Sequence, residues 1–402
     1  MKYIGLIFNK RIMKRFILLV LISLPLYHTV FAESEIAGYP IFGYENETGF
    51  YGGGLVYMRN RPKHFDASIP PNSYYLSMEY SVKKQFLVKF EPIIHFKNGL
   101  YTLSLTLNFK KWPSKFYGIG NNSLVLSHAS SGVSHRQDLD YYCVPRQGLG
   151  NENTLDITLI DNAEDFTPNE FGCIFDVKQK LYKNWDISLI YDFSYYNITK
   201  MKEGGMLSSG EIPGSKGGFN SGLGLQISYD SRNAESYPTK GELLRFRAMS
   251  YNKFIGSDYN FDEYTFDLRK YLSFSNKHVI ALQGYISLTS KDPPFYSMPH
   301  LDKQMRGITP NLHIDKQIAV VRAEYRFFPW ENGFFRRMGF VFFTENGQVA
   351  DEPKKFSIEN ARSDFGFGLR YSFFTDDRLN LRIDVGFGEE DWNFSISTGE
   401  AF

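Results

Sequence analysis

The sequence predicts an all-β fold: one sixteen-stranded, antiparallel, transmembrane β-barrel. Three observations carry that expectation. Run after run alternates apolar with polar residues, and the polar phase holds charges of both signs. Short connections between these runs alternate with long ones. A basic and then apolar leader precedes them all.

The leader comes first. Lys10, Arg11, Lys14 and Arg15 make a basic stretch, Phe16 to Leu26 an apolar one, and Val30 and Ala32 suit a signal-peptidase site before Glu33. Residues 1–32 therefore read as a signal peptide, with Met13 as an alternative start. An uncleaved anchor is the competing reading, and Pro25 and His28 interrupt its apolar run. Five of the 45 Lys and Arg and none of the 44 acids lie in that leader, so the remainder carries 40 bases against 44 acids, a net −4. That balance leaves no nucleic-acid footprint. After the leader no apolar run is long enough for a membrane helix. Residues 33–47 read as a periplasmic lead-in, too short for a folded domain, and 48–402 as the barrel. Cys143 and Cys173 are too few for a disulfide scaffold, and a bridge between them stays open.

The strands follow in order. Gly49 to Arg59 is the first, and Asn72 to Val82 and Gln85 to Phe96 make a hairpin across Lys83-Lys84. Lys97-Asn98-Gly99 is a tight turn. In the next run Tyr101, Leu103, Leu105, Leu107 and Phe109 point one way and Thr102, Ser104, Thr106, Asn108 and Lys110 the other. Asn122 to Phe166 is expected to hold one further strand, near Thr154 to Ile160. Phe171 to Tyr182 and Trp185 to Tyr196 form another hairpin. Nine more runs complete the count, from Gly222 to Asp230 through Trp392 to Phe402, and the even total suits a single-chain barrel. Connections at Lys83-Lys84, Lys183-Asn184 and Ser275 to Lys277 are short. Those at Arg61 to Pro71, Asn197 to Phe219, Lys291 to Asp315 and Gln348 to Ser363 are long. Short periplasmic turns opposite long extracellular loops are the expected pattern.

The polar phase is too charged for a soluble core. Arg322, Glu324 and Arg326 oppose Val321, Ala323, Tyr325 and Phe327; Asn380, Arg382 and Asp384 oppose Leu381, Ile383 and Val385. A soluble barrel would place the apolar phase inside and the charges outside; the signal peptide and the terminal aromatic residue decide for a barrel in lipid, with the charges inside.

Several motifs in the C-terminal half occur in a set order. They are Asp230-Ser231-Arg232-Asn233 with Pro238-Thr239-Lys240-Gly241, then Met305-Arg306-Gly307-Ile308, Ala323-Glu324-Tyr325-Arg326-Phe327, Phe343-Thr344-Glu345-Asn346-Gly347, Gly366-Phe367-Gly368-Leu369-Arg370 and Arg382-Ile383-Asp384-Val385-Gly386. Together they resemble the BamA/TamA family of outer-membrane assembly and translocation barrels, also called bacterial surface antigens. Ile308 stands where the family usually has an aromatic, and Glu345 where it usually has Asp.

The resemblance implies a long loop folded into the lumen, with Arg306 and Gly307 at its tip and Glu345 and Glu324 as acceptors of the guanidinium. It implies that Phe394, Ile396 and Phe402, sharing one phase, form the terminal strand by which barrel proteins are recognised for insertion. It also implies insertion or translocation of proteins or lipids at the outer membrane. Since unpaired edges template further strands, the mechanism expected is a weak seam between the first and last strands, loosened by Gly52, Gly53 and Gly54 in one and Ser397 to Glu400 in the other. The partners implied are outer-membrane lipid, the assembly machinery for the chain's own insertion, and a periplasmic partner that delivers substrate. A passive pore or surface structural protein is the alternative.

Catalysis finds little support. The eight His include no HExxH pair, and no GxSxG elbow or phosphate-binding glycine loop is present, so no enzyme, cofactor or metal is expected. An outer-membrane hydrolase with a Ser–His pair on the wall is the remote alternative.

Overall fold

The computed structural model describes residues 31–45, 49–62, 69–121, 163–275, 277–372, 380–389 and 392–402. They build one sheet of seventeen strand segments. These are β1 Phe31–Glu45, β2 Gly49–Pro62, β3 Asn72–Ser81, β4 Phe86–Phe96, β5 Tyr101–Lys111, β6 Ser114–Phe116, β7 Glu164–Lys180, β8 Trp185–Met201 and β9 Gly218–Asp230. They continue as β10 Gly241–Tyr251, β11 Phe261–Ser275, β12 His278–Thr289, β13 Gln317–Phe327, β14 Met338–Ala350, β15 Arg362–Ser372, β16 Asn380–Phe387 and β17 Trp392–Thr398. Successive strands pair antiparallel, with β5 passing over β6 to β7, as in Phe365↔Phe387 of β15 and β16. β5 and β6 both lie on β7, so β6 continues β5 past Trp112-Pro113, where proline removes a ladder donor. Counted as crossings, the seventeen segments are sixteen strands. Among the described residues no ladder joins β17 to β1.

The sixteen arise differently from the expectation. Residues 33–47, read as a lead-in, are strand almost throughout: β1 runs from Phe31, inside the stretch assigned to the leader, and pairs with β2 in register Ile36↔Met58 to Glu45↔Gly49. Gly38, Pro40 and Gly43 blur its alternation. Conversely, β5 pairs directly with β7, Leu105 opposite Phe175, so the sheet has no place for a strand between them. The Thr154 to Ile160 run expected there lies outside the described residues, as does Cys143.

The extra first strand also reverses the ends assigned to two connections. Strand direction alternates along the sheet, so Lys83-Lys84 lies at the same end as the loop between β12 and β13. The β2–β3 connection lies at the opposite end, where Ile69 meets Gly99 of the β4–β5 turn. The long connections before β7, between β8 and β9 and between β12 and β13 share one end, which they mark as extracellular.

The two faces differ as the alternation requires. On β15, Phe365, Phe367 and Leu369 are 64%, 51% and 42% exposed, while Asp364 and Arg370 are 2% and 1%. Val321 and Tyr325 face out while Glu324 and Arg326 are buried. A wall of exposed aromatic and aliphatic side chains this continuous is stable where lipid covers it. Among the described residues no helix is long and apolar enough to cross a membrane; the strands do the crossing.

At the extracellular end several connections pack on one another. Phe116, Phe166, Tyr196, Leu207, Ile212 and Phe295 form one buried apolar cluster. The short helix Met206–Ser209, which we call α1, is held there by Glu164 of β7, whose carboxylate accepts the Leu207 N–H at 3.0 Å and the Met206 N–H as well.

Candidate functional site in the barrel lumen

The loop between β12 and β13 does not stand out in solvent. Leu301, Met305 and Ile308 are buried against Ile318 and Val320 of β13 and Val349 of β14. Ile308, the departure from the family motif, thus fills an apolar site. Asn311 takes a left-handed backbone (φ 60°), which asparagine tolerates, and its side-chain amide donates to Ser114 Oγ at 2.7 Å. Its N–H donates to Asp302 Oδ1 at 3.0 Å. Burial pushes the Asp302 carboxyl up. The His300 hydrogen bond, the charges of Lys303 and His300 and the Asn311 N–H outweigh it, holding the group well below the usual carboxylate range.

This scaffold delivers Arg306 to the lumen wall. Its guanidinium donates to Glu345 Oε1 from Nε at 2.9 Å and from Nη2 at 2.7 Å, and its backbone N–H reaches Glu345 Oε2 at 2.6 Å. Nη1 lies 2.6 Å from Glu324 Oε1 and 3.1 Å from Asp384 Oδ2. The guanidinium carbon sits 3.5 Å from the Phe343 ring centroid. The Gly307 N–H donates to Asp364 Oδ2 at 2.6 Å. The expected acceptors, Glu345 and Glu324, are therefore joined by Asp384 and Asp364. Those two lie on β16 and β15, far along the chain; Asp384 falls in the last of the ordered motifs, whereas only its lumenal phase marks Asp364 in the sequence.

A close approach makes this docking possible. A Cβ on Gly386 of β16 would stand 2.7 Å from both Arg306 C and Gly307 N, so the loop backbone lies directly on the glycine. Gly307 is as constrained, its added Cβ meeting Asp364 Cβ at 2.6 Å.

The chain beyond β17 also enters the lumen. After Thr398 it turns at Gly399 (φ 80°), a conformation glycine adopts without strain. Glu400 Oε2 then accepts from Arg370 Nε at 2.9 Å, and Phe402 O from Arg326 Nη2 at 2.9 Å. The Phe402 ring is 4% exposed and packs with Tyr271 and Ala281, with Arg322 above it at 4.8 Å. Phe394 and Ile396 face outward, 51% and 49% exposed. The expectation that Phe402 extends their row is therefore corrected: the turn at Gly399 takes it to the other side of the wall. Phe402→Ala is expected to destabilise the barrel by about 3 kcal/mol, the usual cost of emptying a phenylalanine site. Phe394→Ala, on the lipid face, costs far less, and denaturant midpoints of the two variants check this.

Gly52, Gly53 and Gly54 are also displaced from their expected place. They lie in β2, paired on one side to Phe42, Ile41 and Pro40 of β1 and on the other to Tyr80, Glu79 and Met78 of β3. Among the described residues the first strand with an open edge is β1, and the last is β17.

Residues 150–402 match the Omp85 superfamily domain. The chain belongs to the Omp85 superfamily. Its barrel is similar in fold to BamA from Haemophilus ducreyi lacking POTRA domains 1–3, with a TM-score of 0.52 at 10% identity over 91% of this chain and 68% of that one. It is similar also to CdiB from Escherichia coli, with a TM-score of 0.51 at 8% identity over 91% of this chain and 60% of that one. No curated protein sequence matches. As an Omp85 barrel, the protein resides in the bacterial outer membrane. Among the described residues no group of three or more His, Cys, Asp or Glu side chains is placed to hold a metal ion.

Proposed function

We propose that this Omp85 barrel aids the insertion or translocation of proteins at the outer membrane, acting through the edges of β1 and β17. The observation that carries the reading is that edge pair. Apart from β6, which continues β5 and lies on β7 alone, every other strand is laddered on both sides, while β1 pairs only with β2 and β17 only with β16 among the described residues. An unpaired edge is a template for an incoming strand. Pro40 sits in β1, and proline is tolerated in sheets at such edges.

The docked loop and tail support this reading over a passive pore, which needs a lumen open at rest. Delivery of substrate by a periplasmic partner fits the same reading. So does recognition of the outward Phe394 and Ile396 row during the chain's own insertion. A hydrolase reading gains nothing from the charged groups around Arg306, since Glu324, Glu345 and Asp384 are committed to ion pairs there.

The test is a series of cysteine pairs linking β1 to β17 in a Cys143→Ser, Cys173→Ser background. Insertion of an unfolded outer-membrane protein into liposomes carrying the barrel should fall at least tenfold on oxidation and return on reduction. Undiminished insertion with the strands linked would sink the proposal.

A further inference from the structure

The loop tip and the segment after β17 meet in one closed circuit. Arg306 pairs with Glu324 at 2.6 Å, and Glu324 with Arg326 at 2.9 Å. Arg326 lies 3.9 Å from Glu400, which pairs with Arg370 at 2.9 Å. Arg370 pairs with Asp384 at 2.6 Å, and Asp384 returns to Arg306 at 3.1 Å. Six charges of alternating sign thus form a ring, their side chains between 0% and 8% exposed. Arg306 comes from the loop, Glu400 from the tail, and the other four from β13, β15 and β16.

Removing any member leaves its two neighbours as buried charges with too few partners, which low-dielectric surroundings penalise heavily. Loop and tail therefore stabilise each other through Glu324–Arg326 on one side and Asp384–Arg370 on the other. The tail also has a second conformation within reach. Straightened at Gly399, it would continue β17 to Phe402, and alternation would place Phe402 outward beside Ile396 and Phe394.

We propose that this ring is a coupling device, in which docking of the lumenal loop holds the tail of β17 inside the barrel and release of the loop lets that tail rejoin the strand. The four residues Gly399 to Phe402 would then lengthen the open edge of β17, on the strand that the proposed function uses. The coupling is a property of the barrel alone, so it is measured without any translocation substrate and stands or falls separately from that function.

The test uses Ala401→Cys in the Cys143→Ser, Cys173→Ser background, as folded barrel in detergent. The rate of labelling by a fluorescent maleimide reports tail release. Gly386→Val is the perturbation, because it displaces the loop while every ring charge remains in the chain. Labelling is expected to accelerate at least tenfold. Coupling is reciprocal, so Glu400→Ala should accelerate protease cleavage within 302–311 by a comparable factor, with a folded band retained on unheated gels. Glu400→Asp should restore part of the protection. If Gly386→Val exposes the loop to protease while Ala401→Cys labels at the original rate, loop and tail are independent and the proposal is wrong. Unchanged cleavage in Glu400→Ala would overturn it equally. Loss of the folded band in Gly386→Val transfers the test to Arg306→Lys, with the same two readouts.

Discussion

Arg306→Ala is expected to destabilise the barrel more than any other single change in the lumenal loop. The guanidinium is the common partner of Glu345, Glu324 and Asp384, whose side chains are each 0% exposed. Without it, carboxylates from β13, β14 and β16 face one another in a space that water reaches poorly. Breaking a buried ion pair from one side costs about 3–5 kcal/mol, and here one cation serves several anions. The loop loses its anchor as well, so protease should cut within 302–311 while the wall stays folded. Arg306→Lys should recover only part of the loss, because a point charge cannot place Nε and Nη2 on Glu345 while Nη1 reaches Glu324. The check is the denaturant midpoint of the three proteins beside their cleavage rates. Equal midpoints for wild type and Arg306→Ala would show that the ion pairs contribute nothing net.

Gly386→Val should give nearly the same outcome from an uncharged position. The added Cβ overlaps the Arg306–Gly307 peptide, and neither the β16 backbone nor the loop backbone is a flexible side chain that can step aside. Overpacking of a fitted contact costs about 1–3 kcal/mol, and here the strain is relieved by lifting the loop. Protease should then find the loop although Arg306 and all its acceptors remain. Gly386→Ala should show the same effect in weaker form. Gly284 on β12 has no atom within 4 Å of its added Cβ, so Gly284→Ala is the control expected to leave the loop protected. Protection of the loop in Gly386→Val would mean that it does not lie on β16.

How much of this is legible in the sequence differs by element. β13 is plain, because Arg322, Glu324 and Arg326 alternate with large apolar residues, and period 2 with charge on one side has one solution in lipid. β1 is hidden because Gly38, Pro40 and Gly43 interrupt its alternation and the stretch adjoins a leader. The two totals of sixteen agree only because the hidden β1 offsets a strand expected between β5 and β7 that the sheet does not contain.

In the lumen, motif order points to Arg306, Glu324 and Glu345. Asp384, Asp364 and the contact with Gly386 need the register of β15 and β16, which no local pattern fixes. Phe402 departs from its expected side for an instructive reason. Alternation is a local rule, whereas the turn at Gly399 is stabilised by Arg370 and Arg326 on distant strands. Gly52 to Gly54 fall at the seam only while β1 goes uncounted, and one added strand moves the open edge away from them.

The central claim is a membrane barrel whose long loop is folded inside. One gel tests it: the detergent-folded wild type is treated with protease, then run unheated and boiled. The prediction is a fast-migrating folded band without boiling, and after boiling a C-terminal portion still continuous across Arg306. A folded band that boils to two fragments divided within 302–311 would contradict the docked loop. The absence of any shift between unheated and boiled samples would contradict the barrel itself.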